Sequence, residues 1–205
     1  MAESSFRSSG SLSSTSPSLL SRVRAADPAA WERLARLYGP VVYRWARQAR
    51  LQPQDAADVV QDVFHSVTTN ISKFEHQSNG GGFRGWLWTI ARNKIRDHYR
   101  NLKGKAQATG GTAALDEIQQ LPESPPATSS ESGHIEISNL RRRAMELVRG
   151  DFEEQTWQAF WRAAVEGDTP ADVAVDLGIS VWAVYKARAR VLSRLRQELD
   201  AFKEG

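Results

Sequence analysis

Residues 83–100, FRGWLWTIARNKIRDHYR, decide how the rest of the chain is interpreted. The stretch predicts one long helix that mixes basic, aromatic and aliphatic side chains. At about 100° per residue, one arc of the helix is expected to offer charge and flat rings, and another to pack on a core. The offered arc contains Trp88, Tyr99, Arg92, Lys103, Arg96 and Arg100. The packing arc contains Leu87, Ala91, His98 and Leu102.

The charge of this helix favours a polyanionic partner. From residue 84 to residue 105 there are seven Lys or Arg side chains and one acid, Asp97. Arginines contact phosphates, and aromatic rings stack on unpaired bases. A solvated helix with ordinary surface arginines is the alternative. The interleaved Trp and Tyr favour nucleic acid over it.

Composition limits the remaining choices. The 205 residues, 40% of them hydrophobic, allow one or two small domains. Net charge is only +3, but the basic residues are clustered. The absence of cysteine excludes disulfides, zinc–thiolate sites and thiol chemistry. Four scattered histidines offer no triad or metal spacing, so we expect neither a cofactor nor an enzyme. With no long apolar run and no secretory signal pattern, the expectation is a soluble cytoplasmic protein.

Before the organising helix, the chain predicts a tail and three helical pieces. Residues 1–18 contain nine serines and are expected to be disordered. Asp27 and Pro28 suit the cap and first position of a helix. The following apolar repeat is interrupted at Gly39-Pro40, which predicts two pieces, 28–38 and 40–50. The next helix begins at Gln52-Pro53.

That next helix carries an acidic face. Asp55, Asp58, Gln61 and Asp62 lie opposite its apolar positions. Acids near a helix N-terminus are favoured by the helix dipole, and the residues alone favour this account over a docking face for a basic partner. Nothing nearby completes a metal-ligand set.

Two segments predict loops. Residues 73–82, KFEHQSNGGG, form a glycine-rich loop without the pattern of a nucleotide-binding P-loop. Residues 103–138 are dominated by Gly, Pro, Ser and Thr and predict a flexible linker, with an r.m.s. reach of roughly 30–36 Å. The linker separates the first helical module from a second, C-terminal one.

The second module contains a helix-turn-helix pattern. Thr169 and Pro170 predict a helix start. Ala174 permits a close crossing and Gly178 a tight turn. Val184 holds the angle between the helices, together with Ile179. The second helix is expected to expose Trp182, Tyr185, Lys186, Arg188, Arg190 and Arg194. Helical hairpins also use such turns, but the cap, spacing and charge together favour DNA binding.

The order of these segments resembles a bacterial RNA polymerase sigma factor of the extracytoplasmic-function (ECF) group of the sigma-70 family. The motifs that carry the resemblance are DAADVVQDVF (residues 55–64), FRGWL…ARN…D..R in the organising helix, and the terminal TPADVAVDLGIS (residues 169–180). It covers about residues 19–102 and 138–202. The leader SLLSRVRAADPAAW and the terminal SVWAVYKARARVLSRLRQEL look like versions from planctomycete genomes.

The resemblance implies an all-α protein with two small helical domains: region 2 over 19–102 and region 4 over 139–202, joined by the linker. It implies docking on the clamp helices of the largest polymerase subunit by Asp55, Asp58, Gln61, Asp62 and Phe64, which reverses the preference for the helix-dipole account. It implies minus-ten recognition and melting by Trp88, Arg92, Asn93, Arg96, Asp97 and Arg100. It implies minus-thirty-five recognition by Tyr185, Lys186, Arg188, Arg190 and Arg194.

The implied function is promoter-specific transcription initiation as a monomeric subunit of RNA polymerase. Core polymerase and promoter DNA are the expected partners, an anti-sigma factor is a further candidate, and no membrane is involved. Many relatives carry Gly-Thr-Val-Lys-Ser-Arg where this chain has residues 182–187, WAVYKA, so the promoter sequence does not transfer. Trp182 is open to packing or partner contact. The rivals are a helix-turn-helix regulator acting without polymerase and a helical protein-interaction adaptor.

Overall fold

A computed structural model describes residues 18–74, 82–106, 121–123 and 130–199, and this part of the chain is built from α-helices without strands. The predicted all-α class is confirmed. The N-terminal tail, most of the glycine-rich loop and most of the linker lie outside the described residues. The helices are α1 (Leu19–Arg24), α2 (Pro28–Gln48), α3 (Pro53–Asn70), α4 (Phe83–Ala106), α5 (Glu131–Arg149), α6 (Glu154–Trp161), α7 (Pro170–Leu177) and α8 (Val181–Leu199). A 3₁₀ turn, Ile71–Lys73, follows α3, and a π turn, Arg162–Glu166, follows α6.

Two predicted helix starts are confirmed by their cap hydrogen bonds. The Asp27 carboxylate accepts from the Ala29 N–H at 2.9 Å, and the Thr169 hydroxyl accepts from the Asp172 N–H at 3.2 Å. The hydrogen bond from Arg22 lowers the pKa of Asp27 below its usual value, with smaller contributions from the backbone amides that it caps. These caps satisfy amides that a helix leaves without internal partners.

The predicted break at Gly39-Pro40 is wrong, because α2 runs without interruption from Pro28 to Gln48. A proline inside a helix costs about 3 kcal/mol, but the residues on both sides of Pro40 are packed in the core. Leu37, Tyr38, Val41 and Val42 are all at most 1% exposed. Each such burial contributes about 1.5–3 kcal/mol, which outweighs the lost hydrogen bond. Gly39 also has no Cβ to meet the proline ring.

The first module consists of α1–α4, with α4 packed on both α2 and α3. Aromatic edge-to-face pairs join α4 to α2: the ring centroids of Tyr38 and Phe83 are 4.9 Å apart, and those of Trp45 and Trp88 are 5.1 Å apart. The short α1 was not predicted as a helix, because six residues are too few to show a period. Its side chains Leu19 and Leu20 are nevertheless buried in the same core.

The second module consists of α5–α8, and its first helix begins earlier than predicted. The linker prediction ran to residue 138, whereas α5 begins at Glu131 with Ser130 as its cap. The reason is Glu136, which is 2% exposed and accepts hydrogen bonds from Arg84 Nε at 2.7 Å and Trp45 Nε1 at 2.9 Å. Contacts with the first module thus order a stretch whose own periodicity is weak.

A second set of charges joins the modules, which we call the Arg33 cluster: Arg33, Asp151, Arg194 and Glu198. Arg33 on α2 pairs with Asp151, which follows α5, and with the fully buried Glu198 on α8 at 2.8 Å. Arg194 on α8 pairs with the same two acids, at 2.9 Å and 2.5 Å. Burial disfavours the charge on Arg33, but the Asp151 hydrogen bond and the Glu198 charge outweigh it and raise the pKa of Arg33.

The modules also share one hydrophobic core, which differs from the independently packed modules that the sequence predicts. Leu140 and Val148 of α5 and Val191 of α8 belong to the same buried cluster as Leu34 and Trp45 of α2. The two modules therefore form a closed arrangement, held by apolar packing and by the buried charges of Glu136 and the Arg33 cluster.

The helix-turn-helix is confirmed as a small cluster of its own. Val173 and Ala174 of α7 pack against Val184 and Ala187 of α8. Gly178 has φ +64°, the left-handed conformation that glycine adopts without cost and that the tight turn requires. The sequence prediction of cap, turn and crossing residues holds throughout this motif.

The Glu136→Ala substitution should lower the free energy of unfolding by about 3–5 kcal/mol, because it leaves the Arg84 guanidinium buried without its carboxylate. Urea unfolding followed by circular dichroism would measure the change. The control is Glu32→Ala: Glu32 pairs with Arg36 at 2.6 Å, but both side chains are more than 60% exposed, so the loss should stay below about 1 kcal/mol. Equal losses in the two variants would contradict the role of Glu136 in joining the modules.

Candidate nucleic-acid interface

Helix α8 presents one exposed stripe that mixes rings and positive charge. Trp182, Tyr185, Lys186 and Ala189 follow helical spacing and are all exposed, while Val184, Ala187 and Val191 face the core. Arg188 and Arg190 are exposed beside the stripe. The second helix of a helix-turn-helix normally contacts the major groove with its N-terminal residues. The stripe lies at that end of α8, so four of the predicted residues, Tyr185, Lys186, Arg188 and Arg190, are brought together on an accessible surface.

The structure corrects the prediction that Arg194 is exposed for contact with DNA. Its side chain is 18% exposed, and its guanidinium is occupied by Asp151 and Glu198 of the Arg33 cluster. Arg194 lies two helical turns after Lys186 in the sequence, and this spacing predicts that it extends the basic surface. The carboxylates that neutralise Arg194 include one from elsewhere in the chain, which is not visible as a local pattern.

Helix α4 presents a second exposed stripe, which is polar rather than aromatic. Thr89, Asn93, Asp97 and Arg100 follow one another along it at helical spacing. Arg100 Nη1 lies 3.1 Å from Asp97 Oδ1, so those two side chains partly neutralise each other. Asn93 keeps an exposed amide that can both donate and accept hydrogen bonds.

The prediction that Trp88 and Tyr99 form the offered face of α4 is wrong. Trp88 is 3% exposed and packs against Trp45, while Tyr99 is 8% exposed and its hydroxyl donates to the Ala49 carbonyl. The cause is that α2 and α3 contact α4 from two sides, so that the buried arc is wider than the aliphatic residues suggest. Leu102, assigned to the packing arc, is 43% exposed.

A different tryptophan of α4 keeps part of its surface accessible. Trp86 is half-buried, with its ring 5.2 Å from that of Phe74 and 5.6 Å from that of Phe83. It is not among the site residues predicted from the sequence. Its position in the first turn of α4, next in sequence to the glycine-rich loop, was the signal that could have indicated its exposure.

Arg92 and Arg96 lie at the edge of the polar stripe and are half-buried. The Nε atoms of both are enclosed without a hydrogen-bond partner in the described part of the chain. Arg92 Nη2 points to the Leu121 carbonyl at 3.5 Å, and Leu121 itself is 7% exposed. A short piece of the predicted linker therefore packs beside α4 and covers part of the basic surface.

The acidic face of α3 is exposed as predicted. Asp58, Gln61 and Asp62 are open to solvent, and Phe64 is half-buried against the core. Asp55 is only partly exposed, and its carboxylate lies 3.7 Å from His98 Nε2 on α4. Asp58 and Asp62 are four residues apart, so their carboxylates lie on one side of the helix.

The described residues offer no competing chemical site. Among them, no group of three His, Asp or Glu side chains could hold a metal ion, and no helix is long and apolar enough to cross a membrane. An open groove of about 580 Å³ lies between α5 and α6 beside the stacked rings of Trp157 and Trp161. Three arginines and three glutamates line it, and this balance of charge does not favour an anion.

Comparison with known proteins gives a family match within the first module. Residues 34–104, which contain most of α2, all of α3 and most of α4, match the family model for sigma-70 region 2. The chain is 30% identical over 106 residues to the ECF RNA polymerase sigma factor BldN of Streptomyces coelicolor, a match covering 51% of this chain and 39% of that protein. The chain thus spans well under half the length of this relative.

Two further similarities extend over both modules. The RNA polymerase sigma factor CnrH of Cupriavidus metallidurans is 26% identical over 190 residues, covering 91% of this chain and 95% of that protein. A solved structure of CnrH in complex with the cytosolic domain of CnrY aligns over 90% of this chain and 97% of that chain, with a TM-score of 0.36 and 22% identity.

The two tryptophans Trp88 and Trp182 should respond to truncation in opposite ways. Trp88→Ala should lower the free energy of unfolding by about 3–5 kcal/mol, because it opens a cavity against Trp45. Trp182→Ala should change it by about 0.5 kcal/mol or less, because the side chain is 68% exposed. Urea titrations of both variants would test this. A Trp88→Ala protein as stable as the wild type would contradict the packing of Trp88 in the core.

Proposed function

We infer that this chain is an RNA polymerase sigma factor of the ECF group, which joins core RNA polymerase and directs initiation of transcription at promoters. One observation carries this conclusion. The segment that matches sigma-70 region 2 contains both the acidic face of α3 and the polar stripe of α4, two exposed surfaces of opposite character on adjacent helices. A basic helix-turn-helix follows on the same chain.

The acidic face of α3 is proposed as the surface that docks on the clamp helices of the largest polymerase subunit. Asp58, Gln61 and Asp62 support this role by their exposure, and Phe64 supplies an apolar edge. Charges that meet a complementary surface steer association and reject wrong partners. Asp55 contributes less, because it is partly covered beside His98.

The polar stripe of α4 is proposed to capture the minus-ten element once its strands separate. Asn93 and Arg100 are the accessible members, and Arg96 is half-buried. Arg92 needs the covering segment at Leu121 to move. Asp97 orients Arg100 through their ion pair. Trp88 supports the stripe from beneath, and Trp86 is the ring of α4 that remains accessible for stacking on an unpaired base.

The stripe of α8 is proposed to read the minus-thirty-five element in duplex form. Lys186, Arg188 and Arg190 supply the positive charge that phosphates attract. Helices α7 and α8 form the reading unit, and residues 139–202 with the earlier part of α5 form the region 4 domain. Region 2, over 19–102, is the other domain, and the chain between them links the two.

The protein is proposed to perform no chemistry of its own, since polymerase makes the phosphodiester bonds. The rival regulator without polymerase is not favoured, because the similarity to a sigma factor extends over both modules. CnrH was solved with the cytosolic domain of CnrY, and an anti-sigma partner for this chain is proposed by analogy. The protein is further proposed to act as a monomer in the cytoplasm. Its leader and terminal helix are proposed to be of a planctomycete type.

The direct test is transcription in vitro with bacterial core RNA polymerase. The full chain should support initiation from promoters enriched from a random library, and core polymerase alone should not. Absence of any polymerase association, with DNA binding retained, would favour the rival regulator. Absence of both would favour the interaction adaptor.

The Asp58→Lys/Asp62→Lys variant should fold normally but lose core polymerase, because reversed charges would face the like charges of the partner. Pull-down of core polymerase by the tagged chain would measure the loss. Glu131→Lys/Glu153→Lys is a matched control, with the same change of charge at two exposed acids outside α3. Unchanged capture by the α3 variant would remove the acidic face of α3 from polymerase docking.

Asn93→Ala and Arg190→Ala should separate the two DNA-reading surfaces. Arg190→Ala should weaken binding to duplex promoter, by about 1–3 kcal/mol if the guanidinium contacts a base edge. Asn93→Ala should leave duplex binding intact and impair strand opening, since its amide acts on unpaired bases. Permanganate footprinting of holoenzyme on linear and pre-melted templates would distinguish these effects. Normal opening by Asn93→Ala would remove α4 from the mechanism.

A further inference from the structure

The first turns of α8 expose two large rings that the fold does not use. Trp182 is 68% exposed and Tyr185 is 54% exposed, whereas Val184 and Ala187 on the opposite side fill the helix-turn-helix core. Every position needed to hold α7 against α8 is thus occupied by another residue. Two neighbouring exposed rings on the basic face of this helix form an apolar patch, which indicates a contact with a partner.

The Trp182 ring is held in place rather than free. Lys186 Nζ lies 4.9 Å from the ring centroid, a cation–π contact between positions i and i+4. Ser180 caps the helix, accepting from the Ala183 N–H at 3.1 Å. Trp182 therefore occupies the second position of α8, at the end of a recognition helix that reaches the base edges.

The chemistry of these side chains fits one base feature better than others. Reading guanine takes paired donors from Arg or Lys, and reading adenine takes the amide of Asn or Gln. At the N-terminal end of α8 neither Trp182 nor Tyr185 provides such a pair, and the Lys186 ammonium lies over the Trp182 ring. What remains is apolar contact, and the C5-methyl group of thymine is the apolar feature of the major groove.

We propose that Trp182 and Tyr185 form an apolar contact with thymine methyl groups in the upstream promoter element, and so favour thymine at the positions they touch. This rests on the proposed function and deepens it. Duplex DNA is the favoured occupant because Lys186, Arg188 and Arg190 are exposed on the same part of α8, and Glu198, the acid within α8, is buried. Ala189 continues the stripe with a small side chain, which lets a groove approach closely.

The test removes one methyl group at a time from DNA. Holoenzyme containing the full chain selects promoters from a random pool, and each thymine in the upstream half of a selected site is then replaced by deoxyuridine. Burying one methyl group predicts about a fourfold rise in Kd at the contacted thymines, measured by fluorescence anisotropy. Trp182→Ala should bind thymine and deoxyuridine duplexes equally at one or more of those positions, Trp182→Phe should keep part of the preference there, and Tyr185→Ala should remove it at the others.

The control is Ile135→Ala, which truncates an apolar side chain that is 46% exposed on α5, and it should keep the full thymine preference. Deoxyuridine substitution without effect in the wild type, or with the same effect in Trp182→Ala, would overturn the proposal and leave the rings for a protein partner. Transcription from the selected promoter reports the proposed function separately. A holoenzyme that initiates normally but ignores the methyl groups refutes only the inference about Trp182.

Discussion

The buried carboxylate of Glu136 is the constraint on which the arrangement of the two modules depends. A charge at 2% exposure is tolerated only when donors surround it, and its donors, Arg84 and Trp45, belong to α4 and α2. The beginning of α5 can therefore lie at one place on the first module. The pair adds little net stability compared with an apolar substitute, so its main effect is to fix where the second module packs.

The same crowding assigns the residues of α4 to two tasks. Because α2 and α3 both press on this helix, its rings at positions 88 and 99 are held in the core. The polar side chains of its exposed stripe remain accessible to solvent on a helix that packing holds in place. Asn93 owes its fixed position to Trp88 little more than one turn earlier, which anchors the helix against Trp45. The promoter-opening surface proposed for this helix would gain precision from the packing beneath it.

Local signals in the sequence were sufficient to predict caps, turns and motifs. They were insufficient wherever contacts with residues far away in the chain determine the structure. The caps at Asp27 and Thr169 and the turn at Gly178 depend on a few neighbouring residues, so they were predictable. The continuous α2 through Pro40 was not, because tertiary packing overrides the cost of one proline. The burial of Trp88 and the sequestration of Arg194 were missed for the same reason: their partners, Trp45 and Asp151, are more than 40 residues away in the chain.

The Arg33 cluster has an energetic consequence for the proposed binding of this protein to promoter DNA. If polymerase holds the modules over separate promoter elements, the cluster must break, and only the open fraction of molecules is competent. Each 1.4 kcal/mol of preference for the closed form lowers the apparent affinity about tenfold. Salt screens the partly exposed Asp151 pairs and favours opening, yet it also weakens phosphate contacts. Ionic strength would therefore act on the proposed promoter engagement in two opposing directions.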